Sequence, residues 1–365
     1  MDKIGFLDLK EQNASVKKEI FEVFEKVFEK TAFSSGPFVE EFEQNFAKYT
    51  GAKYCVALSN GTAAVHMMCL VAGIKQDDEV IIPANTFIAS PWGVVYEKAK
   101  PVFVDCDPDT WEIDPSKIEA AITPKTKAIM GVHLYGQPFN REAVKEISDK
   151  HNLILLEDAA QSHGAKYNNE PIGKGAYLQS YSFYPGKNLG ATGEGGAVVT
   201  NDEKLYKKML SLRNHGSTEK YYHEEIGYNY RMGGLEGAAL NIKLKYIDQW
   251  NNKRREIAKR YLSEITNPKI KMQWQPGFSD SVFHLFVITT EDRAALTKHL
   301  NDNNIFPGMH YPLPCHLQQA FGYLNYKVGD FPNSEYLAEH CLSLPMYAEL
   351  PEKSVDRIIA ALNSF

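Results

Sequence analysis

Short, continuous apolar runs alternate with helical stretches between residues 53 and 156. No other feature of the chain limits its possible folds as strongly. The runs are Lys53-Tyr-Cys-Val-Ala-Leu58, Glu79-Val-Ile-Ile-Pro83, Pro101-Val-Phe-Val-Asp105, Ala128-Ile-Met-Gly-Val-His133 and Leu153-Ile-Leu-Leu156. Strands this apolar are buried on both faces, which requires helices above and below them. The pattern predicts the α/β class, with a mostly parallel, doubly wound sheet. Ligands of such sheets bind beyond the carboxyl ends of the strands. Ser59 to Thr62, Phe87, His133 and Asp158 all fall there.

Helical periodicity flanks this region. Val16, Ile20, Phe21, Val23, Phe24, Val27 and Phe28 recur at helical spacing. Pro37 starts a second helix, with Glu40 and Glu41 at its positive end. Lys204 to Leu212 reads as a helix, and Gly227 to Gly234 as a loop before a long helix. That helix carries Leu240, Leu244 and Ile247 on one side and becomes strongly charged through Asn251-Asn-Lys-Arg-Arg-Glu256. The domain boundary is expected along it, giving a large domain over 1–248 and a smaller α+β domain over 249–365. The smaller domain should hold a strand at Phe283 to Ile288, a helix at Arg293 to Leu300 and closing helices. The last of these buries Val355, Ile358, Ile359 and Leu362.

The chain has 365 residues, 44% hydrophobic and 24% charged, enough for two domains. A net charge of -6 and a pI near 6.0 speak against a nucleic-acid surface. Cys55, Cys69, Cys106, Cys315 and Cys341 are dispersed, with no C-x-x-C pair. That usage suits a reducing cytoplasm better than a disulfide framework or a metal site. No apolar run approaches membrane-spanning length, and residues 1–10 lack a signal-peptide core, so a cytoplasmic location is expected.

The chemistry is expected around Tyr181-Ser-Phe-Tyr-Pro-Gly-Lys187-Asn-Leu-Gly-Ala-Thr-Gly-Glu-Gly-Gly196. Lys187 sits among small and turn-forming residues, with Ser182 five positions upstream as a hydroxyl for an anion. The stretch is not a phosphate-binding P-loop, because Asn188 follows Gly186-Lys187 where serine or threonine is needed. Nor is it a dinucleotide fingerprint, because the glycines lead into the β-rich Ala197-Val-Val-Thr200 rather than a helix. A lysine held this way can form a Schiff base with pyridoxal phosphate, PLP. Ser59-Asn-Gly-Thr62 joins a strand to a helix N-terminus, where free N–H groups and the helix dipole favour a phosphate. Asp158 ends an apolar strand. It is either a helix cap or the acid that a PLP ring nitrogen requires. His163 reads as a supporting or structural residue.

The ordered set of motifs resembles the DegT-type sugar-nucleotide aminotransferases, a branch of the fold type I PLP enzymes. It comprises Ser34-Ser-Gly36, Ser59-Asn-Gly-Thr62, Pro83-Ala-Asn-Thr-Phe87, Val104-Asp105, His133-Leu-Tyr-Gly136, Glu157-Asp-Ala-Ala-Gln161, Ser182-Phe-Tyr-Pro-Gly-Lys187, Gly227-Tyr-Asn-Tyr-Arg-Met232 and His310-Tyr311. The resemblance covers nearly the whole chain. One departure follows Arg231-Met232. Where the family has a polar or acidic residue and then Leu-Gln-Ala-Ala, this chain reads Gly-Gly-Leu-Glu-Gly-Ala-Ala.

The resemblance implies a role for each residue. Lys187 would carry PLP, and Asp158 would keep its pyridine nitrogen protonated. Phe87 would stack on the ring, and Gln161 would bond the phenolic oxygen. Gly61, Thr62 and Ser182 would hold the phosphate, and Asn229 would reach it from a neighbouring subunit. A homodimer with shared sites is thereby implied. Arg231 would bind the pyrophosphate of a sugar nucleotide, and Tyr184, His310 and Tyr311 would face the sugar. L-Glutamate would donate the amine, cycling PLP to pyridoxamine phosphate, and a keto-sugar nucleotide would accept it. Freed Lys187 would move the proton between cofactor and substrate carbon. Ser182 to Gly190 together with His310-Tyr-Pro-Leu-Pro-Cys-His316 looks most like enzymes that aminate C3 of a dTDP- or UDP-linked sugar. C4 amination is the nearest competitor. Two further competitors lie outside the transaminases. One is a sugar dehydratase on the same scaffold, whose relatives carry histidine at the lysine position. The second is a non-catalytic PLP-binding regulator.

Overall fold

The structure is a computed structural model and describes residues 2–365. Its centre is a seven-stranded sheet. The strands lie in the order Tyr54–Leu58, Gly196–Thr200, Leu178–Ser182, Ile154–Asp158, Thr126–Val132, Glu79–Pro83, Lys100–Val104. The parallel pairings join the strands that alternate with helices, and Leu178–Ser182 adds a further parallel pair with Ile154–Asp158 although no helix lies between them. Gly196–Thr200 runs antiparallel to both of its neighbours, because it returns directly from the lysine loop without a crossover.

Helices cover both faces, as strands buried on both sides demand. The helix Gly61–Val71 is apolar nearly all round and lies against the sheet through Ala64, Val65 and Met68. It touches the helix Ala89–Tyr96 so closely that a Cβ on Gly93 would stand 2.6 Å from Val65. The opposite face is covered by Pro37–Thr50, whose Phe42 and Phe46 pack on Tyr181 and Phe183. Gly51 ends that helix in the left-handed region at φ 75, as a glycine cap allows.

Two elements differ from expectation. The long helix after Gly234 is two helices, Gly234–Leu244 and Ile247–Glu264. The break lets Leu240 and Ile247 stay on the sheet cluster while Ile257 and Tyr261 enter a different one. The C-terminal part also contains a strand, Cys341–Leu344, between its closing helices. It pairs antiparallel with Phe286–Thr289, which in turn pairs with Lys271–Met272. Val355, Ile358, Ile359 and Leu362 are buried against this small sheet as the periodicity predicts. The N-terminal residues join the same layer. Ile4 donates to the Asn304 carbonyl at 2.8 Å and accepts from Phe306 at 2.9 Å. Among the described residues no helix is long and apolar enough to cross a membrane.

Candidate active site

A cavity of about 620 Å³ opens at the carboxyl ends of the parallel strands. Lys187, Asp158, Gln161, Ser182, Gly61 and Thr62 all line it. So do Phe87, Tyr184, His310 and Tyr311. Asn229 and Arg231 do not line it.

Asp158 is the last residue of its strand and only 4% exposed. Its side chain is held at both oxygens. Ser90 Oγ donates to Oδ2 at 2.7 Å, and the Ala160 N–H donates to Oδ1 at 3.0 Å. Thr86 Oγ1 stands 2.9 Å from Ser90 Oγ and extends the chain of hydroxyls. Strand alternation turns the preceding Glu157 to the other face. There it meets Arg141 at 2.8 Å and His133 at 3.0 Å. His133 is therefore part of a buried support behind the sheet and stands outside the cavity lining.

Lys187 lies in a tight loop, its N–H bonded to the Tyr184 carbonyl at 2.8 Å. Gly190 is required to close that loop, since a Cβ there would meet the Pro185 carbonyl oxygen at 2.3 Å. The side chain is half-buried and lines the cavity. This burial lowers the ammonium pKa to about 8, against a smaller opposing pull from Asp158. A lysine of this kind is substantially neutral, hence nucleophilic, in mildly alkaline solution.

A cup for an anion lies beside it. Asn60 caps the helix Gly61–Val71, accepting from the Ala63 N–H at 2.8 Å. The first N–H groups of a helix have no partner within it. Those of Gly61 and Thr62 therefore remain for a ligand. A Cβ on Gly61 would collide with Ser182, 2.6 Å from Oγ, so glycine is what lets the helix end and the hydroxyl share one small cup.

The cavity wall opposite is tied together by polar bonds. Gln161 Oε1 accepts from the Tyr135 N–H at 2.6 Å, and its Nε2 donates to the Tyr311 hydroxyl at 3.1 Å. The Tyr135 hydroxyl donates to the His310 carbonyl at 2.7 Å. Phe87 and Tyr311 hold their ring centres 5.5 Å apart, and Phe87 keeps 49% of its surface open. Burial, aided by Lys187, lowers the His310 pKa to about 4, so its ring is neutral, with Nδ1 2.8 Å from Ser343 Oγ. His163 does not line the cavity. It is buried among Phe46, Tyr181 and Phe183, with its pKa down to about 3 through burial.

Asn229 and Arg231 belong to an outer strap. The strap crosses the end of the first strand, where the Ser59 N–H donates to the Tyr230 carbonyl at 2.8 Å. Arg231 Nη1 donates to Asn214 Oδ1 at 2.7 Å, outside the lining of this chain's own cavity. Asn229 is exposed. The Gly233-Gly234 departure has a physical cause. A Cβ on Gly234 would sit 1.8 Å from the Ala32 carbonyl oxygen, and Ser35 N–H holds the Met232 carbonyl at 3.0 Å. The turn before the second helix therefore pins the strap.

Several lining residues lay outside the sequence expectations: Phe6, Leu7, Ser90, Glu194, Arg254 and His284. Arg254 was concealed in a charged run that reads as a solvated helix face. His284 is held far below the usual histidine range by burial, with Lys187 and Arg254 adding to the effect, and its Nδ1 stands 3.1 Å from Asn188 Oδ1.

The residues fit PLP. The Gly61–Ser182 cup suits a phosphate, Asp158 is a fixed carboxylate, Lys187 is an activated amine and Phe87 offers an open ring face. Known proteins point the same way. The profile of the DegT/DnrJ/EryC1/StrS aminotransferase family matches residues 14–363. A "Pleiotropic regulatory protein" of Geobacillus stearothermophilus is 40% identical over 99% of this chain and 98% of its own. A dTDP-3-amino-3,6-dideoxy-alpha-D-galactopyranose transaminase of Aneurinibacillus thermoaerophilus is 42% identical over 99% of both chains. The crystal structure of S. venezuelae DesV in complex with a ketimine intermediate superposes with a TM-score of 0.98, at 39% identity, over 100% of this chain and 98% of that one. The chain belongs to the DegT/DnrJ/EryC1/StrS aminotransferase family and has its α/β, fold type I architecture.

Proposed function

We propose that this protein transfers an amino group from L-glutamate to the C3 ketone of a dTDP- or UDP-linked keto sugar, using PLP held by Lys187. The product would be an amino sugar for a surface polysaccharide or a glycosylated metabolite. The observation that carries this reading is the convergence of Lys187, Asp158 and the Gly61–Ser182 cup on one cavity. The choice of C3 rests on the name of the Aneurinibacillus relative. When bound, PLP supplies an electron sink for the carbon attached to the transferred nitrogen.

Each residue then has a task. Gly61, Thr62 and Ser182 anchor the phosphate. Asp158, immobilised by Ser90 and Ala160, holds a proton on the ring nitrogen. Phe87 covers one ring face, and Gln161 reaches the phenolic oxygen. Lys187 would hold the cofactor through its amine and would move a proton at the substrate carbon, a step worth about 10² to 10⁴ in rate. Tyr184, His310 and Tyr311 bound the space left for the sugar. The strap of Tyr228 to Met232 is aromatic and carries Arg231, a fork suited to phosphate oxygens. In a homodimer it would bring Asn229 to the phosphate and Arg231 to the pyrophosphate of the neighbour's site.

A panel of C3- and C4-keto-sugar nucleotides incubated with glutamate, read by mass spectrometry, tests this function. Gain of an amine on a C3-keto sugar is expected. Loss of water without nitrogen gain would assign a dehydratase instead. The relative named as a regulator favours a second reading, a non-catalytic PLP-binding protein. Bleaching of the bound-PLP absorption by glutamate would eliminate it.

A further inference from the structure

The charged lining of the cavity consists of Asp158, Glu194, Lys187 and Arg254. An amino-acid donor must place at least one carboxylate there. Asp158 and Glu194 repel it. The Lys187 amine is committed to carbonyl chemistry. Within one chain Arg254 is the cation that remains, since Arg231 lies outside.

Arg254 has the features of a binding group as well as those of a staple. It is 2% exposed, in the middle of the helix Ile247–Glu264. Nη1 donates to the carbonyls of Met346 at 2.8 Å, Phe283 at 3.3 Å and His284 at 3.3 Å. None of these bonds goes to a carboxylate, and Nε is buried without any partner. Glu349, the acid that acts on it, makes no hydrogen bond to it, and burial raises that acid's own pKa. Burial lowers the guanidinium pKa to about 10, which leaves it charged at neutral pH. The cavity lining of the same wall adds no charge to offset it. Phe6, Leu7, Leu285 and Met346 are apolar, and His284 and His310 are neutral. A buried cation whose acid neighbour makes no hydrogen bond to it is costly, and a ligand carboxylate would relieve that cost.

We propose that Arg254 binds a carboxylate of the amino donor, on the wall of the cavity built from the C-terminal layer. The proposal rests on the function read above, in which the donor is an amino acid.

Two variants of the holoenzyme test it, Arg254→Gln and the charge-keeping Arg254→Lys. The half-reaction with glutamate and the half-reaction with the keto-sugar nucleotide are measured separately. Losing one partner of a buried charge pair should raise the glutamate KM about a hundredfold in the glutamine variant, and less in the lysine variant. The sugar-nucleotide KM should stay within about a factor of two, the scale of effects at a site that lost no contact. Glutarate, a dicarboxylate without an amine, should bind the parent by calorimetry and fail to bind Arg254→Gln. An unchanged glutamate KM, or equal glutarate binding in parent and variant, overturns the proposal. Equal damage to both half-reactions also overturns it and reduces Arg254 to a staple of Met346 and Phe283. A parent that binds glutarate through Arg254 yet aminates no sugar supports the proposal and sinks the sugar reading instead.

Discussion

The anion cup and the outer strap are neighbours joined by the bond from Ser59 to Tyr230, yet they differ in kind. The cup is built from one stretch of helix end and one strand end of the same chain. Asn60 caps its helix, and Gly61 lets Ser182 approach. The strap is pinned just as firmly, but its exposed Asn229 and its Arg231 have no role in this chain's cavity. Rigidity without a local task is what the proposed homodimer would require of a segment that serves another subunit's site. The contrast separates a proposed cofactor half, the closed one, whose cavity lining comes from one chain, from an open half, the strap that would serve a partner's site in the proposed homodimer.

The largest effect should come from the closed half. Lys187→Ala is expected to abolish turnover and leave PLP bound only non-covalently. Borohydride reduction of the parent should attach the cofactor at Lys187, and a label on any other lysine would break the assignment. Asp158→Asn should keep the fold and cost at least about a hundredfold in kcat, the scale set by one positioned proton-handling group. Near-parent rates with an unchanged melting curve would reduce Asp158 to a strand-end cap.

A mixing experiment tests the open half. Lys187→Ala and Arg231→Ala proteins, each inactive, are combined under conditions that exchange subunits. Random pairing leaves about a quarter of the sites with both groups intact, so recovery should approach that fraction. A mixture that stays dead despite proven exchange, or a fully active monomer, would return the strap to a purely structural role.

The smallest effect is a pH profile. Burial holds the Lys187 ammonium down at about 8, below its ordinary 10.5, so the neutral amine predominates above that pH. Capture of PLP by cofactor-free protein should accelerate about tenfold per pH unit on approaching pH 8 and then level. The same depression means that the unfolded chain binds the proton more tightly between the two values. This site should therefore add stability as pH rises from about 8 towards 10.5. A capture rate still climbing past pH 10 would show an amine in contact with water.

The sequence disclosed the cofactor half well, because its chemistry is local. Strand, Asn60 cap and glycine stand consecutively, as do Glu157 and Asp158 on opposite faces of one strand. The strand Leu178–Ser182 was harder to see. Its Gln179, Ser180 and Tyr181 look like a loop, and they are buried because Glu157 and the Ile172 carbonyl satisfy Gln179, which in turn accepts from Tyr181. Arg254 was invisible for the opposite reason. Its neighbours Lys253 and Arg255 are surface charges, and only the fold shows that the middle member turns inward. Phe6 and Leu7 reach the cavity through pairing with residues some three hundred positions away, which no local pattern can signal.

That pairing of Ile4 with Asn304 and Phe306 has a consequence for biosynthesis. Domains fold from the N-terminus as the chain emerges, at about 5 to 20 residues per second. Gly61, Asp158, Ser182 and Lys187 are all made before residue 200, although the lysine loop still waits for Lys243, whose Nζ donates to the Gly190 carbonyl, and for Asn251, which accepts from Asn188. Phe6 and Leu7, among the earliest residues made, must wait for residues 304 and 306 before they have a wall to join. Arg254, His310 and Met346 arrive in the same late stretch. The sheet end of the cavity is therefore made before the wall that faces it.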